Sequence, residues 1–370
     1  MSKIDDLIKE LCPDGVEFVC LDEVASLQRG SAITKKNITP GDVPVVAGGQ
    51  RPAYFHSESN RSAHTVVVAG SGAYAGFVSF WSVPIFVSDA FSIEPLGDEV
   101  ISKYIFYILK NRQAELHNLK RGSGVPHVYS RDVARWKIPV PPLEVQKEIV
   151  RVLDSFTELE AELEAELEAR KKQYEYYRNT LLTFEDDKNI TWVELGEVTK
   201  YEQPTKYIVR SSDYNDNFSI PVLTAGKTFI LGYTDESSGI YNASVHPVII
   251  FDDFTTANKW VDFDFKVKSS AMKIITSLDE GTALLKYIYH WLNTLPSGLV
   301  EGDHKRQWIS SWSKKKIPIP PLEKQKQIVS ILDKFEKLTN NISIGLPAEI
   351  EARRKQYEYY RNKLLTFKEA

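Results

Sequence analysis

Asp252 and Asp253 close an apolar run, His246-Pro247-Val248-Ile249-Ile250-Phe251, that reads as a buried strand. Paired acids at a strand end can hold a metal ion for hydrolysis, as in a nuclease. The plainer reading is a strand-end turn, because no third acid and lysine follow at nuclease-like spacing. Gly70-Ser71-Gly72-Ala73-Tyr74-Ala75-Gly76 has the glycine content of a phosphate cradle, yet no Lys-Ser or Lys-Thr follows it. A turn that brings backbone close to a partner fits that stretch better. The chain has no Walker phosphate loop, no dinucleotide fingerprint, no His-Glu-x-x-His and no Asn-Pro-Pro-Tyr or Asp-Pro-Pro-Tyr methyltransferase tetrapeptide. Neither a catalytic residue nor a metal ligand is expected.

Binding chemistry is better represented. Lys35, Lys36, Arg51, Lys120, Arg121, His127 and Arg131 fall in loop-like stretches of the first half, together with Ser71 and Tyr74 of the glycine stretch. Lys227, Lys259, His304, Lys305, Arg306 and Gln307 do so in the second half. Such side chains grip phosphates and read base edges in the major groove. An ordinary solvated surface is the competing reading, and for Lys314-Lys315-Lys316 the two balance. The run His304–Gln307 favours DNA, because it occupies the same relative position as Lys120–His127. Tyr74 and Trp308 suit base stacking and a core or hinge role equally. The formal charge of −4 means that any basic surface is local.

The elements that must position these residues are duplicated. EARKKQYEYYRNTLLTF (Glu168–Phe184) returns as EARRKQYEYYRNKLLTF (Glu351–Phe367), changed only at Lys171/Arg354 and Thr180/Lys363. Upstream, IPVPPLEVQKEIVRVLDSF (Ile138–Phe156) returns as IPIPPLEKQKQIVSILDKF (Ile317–Phe335). A period of this length means two halves, not a solenoid. Each half has a variable block, residues 1–137 and 185–316, then a helical block, residues 138–184 and 317–370. Short apolar runs broken by Gly and Pro read as strands, among them Val43–Ala47, Thr65–Ala69, Phe77–Phe80 and Ile85–Val87. Asp98–Leu119 and Ala283–Leu295 read as helices. In the helical blocks, proline precedes the helix start. Leu159, Leu163 and Leu167 recur every four residues through Glu-Leu-Glu-Ala tetrads, the seam of a coiled coil with local unwinding. The second copy has four more residues between Asp333 and Glu351, including Gly345 and Pro347, and predicts two helices where the first runs on.

Length and composition allow two folded domains. Cys12 and Cys20 are too few for a disulfide framework, so a reducing cytosol is expected. The N-terminal residues lack the apolar core of a secretion signal, and no apolar run is long enough to span a membrane.

Ile-Pro-x-Pro-Pro-Leu-Glu-x-Gln, at Ile138–Gln146 and Ile317–Gln325, resembles a signature of type I restriction–modification specificity (S) subunits. Gly302–Ile309, and Gly70–Val78 with Val87-Ser88-Asp89, resemble segments of that family's target recognition domains. The resemblance covers nearly the whole chain. It implies an α+β fold: two target recognition domains separated by two long helices that form an antiparallel coiled coil. It implies a non-catalytic reader of double-stranded DNA in a bacterial or archaeal cytoplasm, each domain reading one half of an asymmetric bipartite site. Two methyltransferase (M) subunits carrying S-adenosylmethionine would dock on the helical blocks, through Leu143, Gln146, Tyr174, Tyr177, Leu322, Gln325, Tyr357 and Tyr360. Two restriction (R) subunits would bring ATP and Mg, leaving no cofactor on this chain. The tetrads would set the spacer between half-sites. A two-module coiled-coil adaptor for protein partners explains the repeat equally well, but not the paired basic, glycine-rich loops.

Overall fold

The computed structural model describes residues 3–122, 124–184, 190–225, 228–296, 306–340 and 345–370. The first half runs α1 (Lys3–Leu11), β1 (Glu17–Cys20), α2 (Leu21–Val24), β2 (Ala25–Arg29), β3 (Val43–Val46), β4 (Tyr54–His56), β5 (Thr65–Ala69), β6 (Val78–Trp81), β7 (Phe86–Val87), β8 (Ala90–Pro95), α3 (Ser102–Asn111), α4 (Gln113–Asn118), α5 (Ser130–Ala134), β9 (Lys137–Val140) and α6 (Leu143–Leu181). The second half runs β10 (Thr191–Glu194), α7 (Leu195–Val198), β11 (Thr199–Glu202), β12 (Ile220–Leu223), β13 (Ile230–Thr234), β14 (Val248–Asp252), β15 (Asn258–Val261), β16 (Lys266–Val267), β17 (Met272–Ser277), α8 (Leu285–Leu292), α9 (Gln307–Ser310), β18 (Lys316–Ile319), α10 (Leu322–Asn340) and α11 (Leu346–Leu365).

The chain forms two compact units. Unit 1 is Met1–Glu164 with Glu349–Ala370, and unit 2 is Ala165–Ala348. Their sheets correspond strand for strand. Unit 1 has sheets β2-β8-β5-β6, β4-β3-β7 and β1-β9; unit 2 has β11-β17-β14-β15, β13-β12-β16 and β10-β18. The register is repeated as well, with Val66 opposite Ile93 and Ile249 opposite Ile275. The central strands β5 (TVVVA) and β14 (VIIFD) are buried at every position. Their β-branched and aromatic side chains suit such a site, with sheet on both edges and helix on one face. In α3 the buried residues Tyr104, Ile105, Tyr107, Ile108 and Leu109 form the stripe that covers the sheet.

The helix expected over Asp98–Leu119 is two shorter ones. It begins at Ser102 because Gln146 holds the chain just before it, accepting from Ile101 N at 3.0 Å and donating to Glu99 O at 2.8 Å. It breaks at Arg112, whose guanidinium lies 3.9 Å from the Trp136 ring centroid and also binds Glu115.

The helical blocks divide as the sequence predicts. In the first copy α6 is one helix of 39 residues. In the second, α10 stops at Asn340 and α11 starts at Leu346, with Pro347 in its first turn. Each unit takes its helix pair from both copies. In unit 1 the start of α6 packs antiparallel on α11: Phe156 meets Tyr357 and Tyr360, while Arg354 bridges Glu160 and Glu164. In unit 2 the end of α6 packs on α10, where Tyr174 and Tyr177 meet Phe335. The chain's last residues join unit 1 through Val16 N to Lys368 O (2.9 Å) and Ala370 N to Val16 O (3.1 Å). Gly15 makes this possible: its φ is +114°, and a Cβ there would lie 2.6 Å from Lys368 O. Among the described residues no helix is long and apolar enough to cross a membrane.

Candidate nucleic-acid interface

In unit 1 three loops converge at the ends of β5 and β8. Val128 N donates to Gly70 O (3.0 Å), and Gly72 N donates to Pro126 O (2.9 Å). Arg121 and His127 exchange two backbone hydrogen bonds, of 3.0 and 2.8 Å. Lys120 Nζ donates to Ala73 O at 2.9 Å, so this ammonium closes the loop base instead of projecting freely. Gly48 lies so close that a Cβ would come 2.5 Å from Ser71 O. The sequence-predicted residues Tyr74, Lys120, Arg121, His127 and Arg131 are thus gathered on one loop cluster. Tyr74 is exposed, and His127, Tyr129 and Arg131 form a column: the His127 and Tyr129 rings stack at 6.0 Å, and Arg131 lies 5.0 Å over Tyr129. Arg121 pairs with Asp132 at 3.6 Å. Arg51 is exposed beside the Gly48-Gly49 turn, and Lys36 is exposed on the three-residue turn that precedes β3. The side chain of Lys35 lies outside the described residues.

Ser71 is a correction. Its side chain is buried and its hydroxyl donates to Asp89, so it orders the loop and is not presented to DNA. Tyr129, Arg29 and Asp89 were missed as surface residues. Asp89 carried a signal in the Val87-Ser88-Asp89 segment; Arg29 ends β2 and Tyr129 precedes α5, places with no distinguishing pattern in sequence.

In unit 2, Lys227, His304 and Lys305 lie outside the described residues. Arg306 is exposed at the start of α9, and Gln307 N donates to Asp253 O at 2.9 Å. Lys259 does not join them. It lines a groove of about 1050 Å³ with Lys171, Lys286 and Lys337, beside α8 and α10. Trp308 belongs to the core, 1% exposed and edge-on to Phe251.

The two acids are structural. Asp252 caps its own turn, accepting from Phe254 N (2.9 Å) and Thr255 Oγ1 (2.6 Å). Asp253 accepts from Trp308 N (2.9 Å) and forms an ion pair with Lys273 (3.1 Å) in which both side chains are buried. His290, Asp333 and Glu336 bring ligand-type atoms within 4.8 Å of one another. That set already holds a cation: Lys286 Nζ lies 3.6 Å from Asp333 and 3.0 Å from Glu336. Burial pushes Asp333 up, but the His290 hydrogen bond at 2.8 Å and the Lys286 charge together hold it below the usual carboxylate range.

Among the residues expected to dock a partner, Gln146 and Gln325 are corrected. Both are fully buried. Gln146 also donates to Pro141 O, and Gln325 repeats the whole pattern with Leu284 N, Thr282 O and Pro320 O. The signature glutamine is a bracket between the long helix and the recognition domain. Tyr174 is buried, and burial, with Glu336 nearby, pushes its hydroxyl up to about 12. Tyr177, Tyr357 and Tyr360 pack on the helix partner, and Leu143 and Leu322 are half-buried at the helix starts. The most exposed tyrosines of the described helical blocks are Tyr176 and Tyr359, 66% and 63% exposed at equivalent positions.

Two equivalent α+β modules, each packed on its own helix pair, define an internally duplicated two-unit protein. The model of the type I restriction modification DNA specificity domain matches residues 13–169 and again 187–352, and the chain belongs to that family. The Escherichia coli type I restriction enzyme EcoR124I/EcoR124II specificity subunit is 64% identical over 191 residues, covering 50% of this chain and 46% of that protein. A putative type I restriction enzyme specificity subunit of Haemophilus influenzae is 31% identical over 95% of this chain and 96% of its own length. The crystal structure of the S subunit from M. genitalium shares the fold, with a TM-score of 0.67 at 16% identity over 95% of this chain and 97% of that one.

Proposed function

We propose that this chain is the non-catalytic, DNA-reading subunit of a type I restriction–modification complex, with each unit reading one half of a bipartite site. The observation that carries this reading is the contrast between scaffold and loops. The two units repeat sheet order, register and the glutamine bracket, while the residues at the ends of β5 and β14 differ. A shared frame with different edge chemistry suits two different half-sites on pseudo-symmetric partners.

The helix pairs would dock two methyltransferase subunits, and Tyr176 and Tyr359 are equivalent exposed aromatics of the kind that anchor interfaces. S-adenosylmethionine would lie on those subunits, and ATP and Mg on two restriction subunits. With a net charge of −4 the chain alone would bind DNA weakly, and its partners would supply much of the phosphate contact. Genome-wide adenine-methylation sequencing of cells expressing this chain with its methyltransferase partner tests the proposal. A split motif with two defined halves is expected; methylation without one would refute it.

A further inference from the structure

A pocket of about 200 Å³ opens in unit 1 between Arg29, Asp89, His127, Tyr129 and Arg131, floored by Gly70 and Phe91. Arg29 and Arg131 are exposed at its mouth and form no ion pair among the described residues. The Arg131 guanidinium lies 5.0 Å over Tyr129, which is itself stacked on His127, so an aromatic surface limits where the guanidinium can point. Asp89 is fixed on the other side by the Ser71 hydroxyl.

Among the described residues, the equivalent positions of unit 2 carry different side chains. The backbone bond from Gln307 N to Asp253 O repeats that from Val128 N to Gly70 O. Ala69 faces Ala90 as Asp252 faces Met272. Asp253 therefore stands where unit 1 has Gly70, Lys273 where it has Phe91, and Trp308 where it has Tyr129. The Asp253–Lys273 ion pair and the Trp308 ring are all buried at those positions.

We propose that this pocket is a base-reading site of unit 1, that it takes the major-groove edge of a G·C pair, and that the equivalent described positions of unit 2, held by Asp253, Lys273 and Trp308, do not repeat its chemistry. The inference rests on the DNA-reading function proposed above. A bare phosphate fits poorly, because the Asp89 carboxylate among the lining groups repels an anion. A G·C edge matches both signs. Guanine O6 and N7 accept from an arginine fork, and the cytosine amino group donates to a carboxylate. An A·T edge offers no such adjacent pair of acceptors.

The test uses the full chain with its methyltransferase partner, comparing wild type with Arg131→Ala and Arg29→Ala by methylation sequencing. Both side chains are exposed, and thermal unfolding of the purified chain checks that the variants fold. The expected result is relaxation at one G·C position of one half-site, about tenfold or more, with the other half unchanged. A uniform loss across all sites would mark a phosphate contact and overturn the proposal, as would an unchanged motif in both variants. A wild-type complex with no bipartite motif is a separate outcome, which removes the underlying reading and this site with it.

Discussion

Tyr360 stacks on Phe156 with ring centroids 5.5 Å and planes 24° apart; Tyr177 stacks on Phe335 at 5.4 Å and 24°. Both contacts join the last phenylalanine of one segment type to the last tyrosine of the other, and in neither case do they come from the same copy. Phe156→Ala should destabilise unit 1 by about 2 kcal/mol, from lost half-buried area and the ring pair. Hydrogen exchange should rise in α11 and leave β14 protected. Unchanged exchange in α11 would show that the stack contributes nothing.

Gln146→Ala should lower stability by about 2 kcal/mol, since it leaves the Pro141 carbonyl buried without this donor and breaks the bonds to Ile101 N and Glu99 O. Gln325→Ala should act alike in unit 2. Calorimetry reads the loss. A variant of full stability with weakened methyltransferase association would instead return this glutamine to the docking surface.

Asp253→Ala should cost about 3–5 kcal/mol, because it strands the Lys273 ammonium in the core. Adding Lys273→Met should recover much of that loss. If Asp253→Ala leaves denaturant stability intact, the buried pair does not stabilise unit 2.

Glu148 gives a pH signature. The Arg151 hydrogen bonds, with help from Lys3, hold its carboxyl at about 2, below the ordinary 4.5. A depressed folded value means that the stabilisation is present above 4.5 and is lost as pH falls from there towards 2. Both basic partners are largely exposed, so salt will weaken the effect. Stability measured against pH should fall less steeply over that window in Glu148→Gln than in wild type; identical slopes would exclude the linkage.

Deleting Glu164–Leu167, one tetrad of α6, removes ~6 Å of helix. On the proposed reading the methylated motif keeps both half-sites and loses one to two base pairs of spacer. A spacer of unaltered length in the methylome would detach the tetrads from that role.

The sequence by itself determined the duplication, the strand-and-helix order, the break near Pro347 and the signature that marks the family, because these are local patterns of apolar spacing, proline and repetition. The Lys171/Arg354 difference was visible there but unexplained. Arg354 faces Glu160 and Glu164 of the tetrads, whereas Lys171 pairs with Glu168 in its own turn. Tertiary structure alone decided which copy of each helix serves which unit, that Gln146, Gln325, Ser71 and Trp308 point inward, and that Arg29, Asp89 and Arg131 share one pocket. Those outcomes depend on contacts between residues far apart in the chain. A glutamine or serine carries no mark in sequence that tells an exposed reader from a buried bracket.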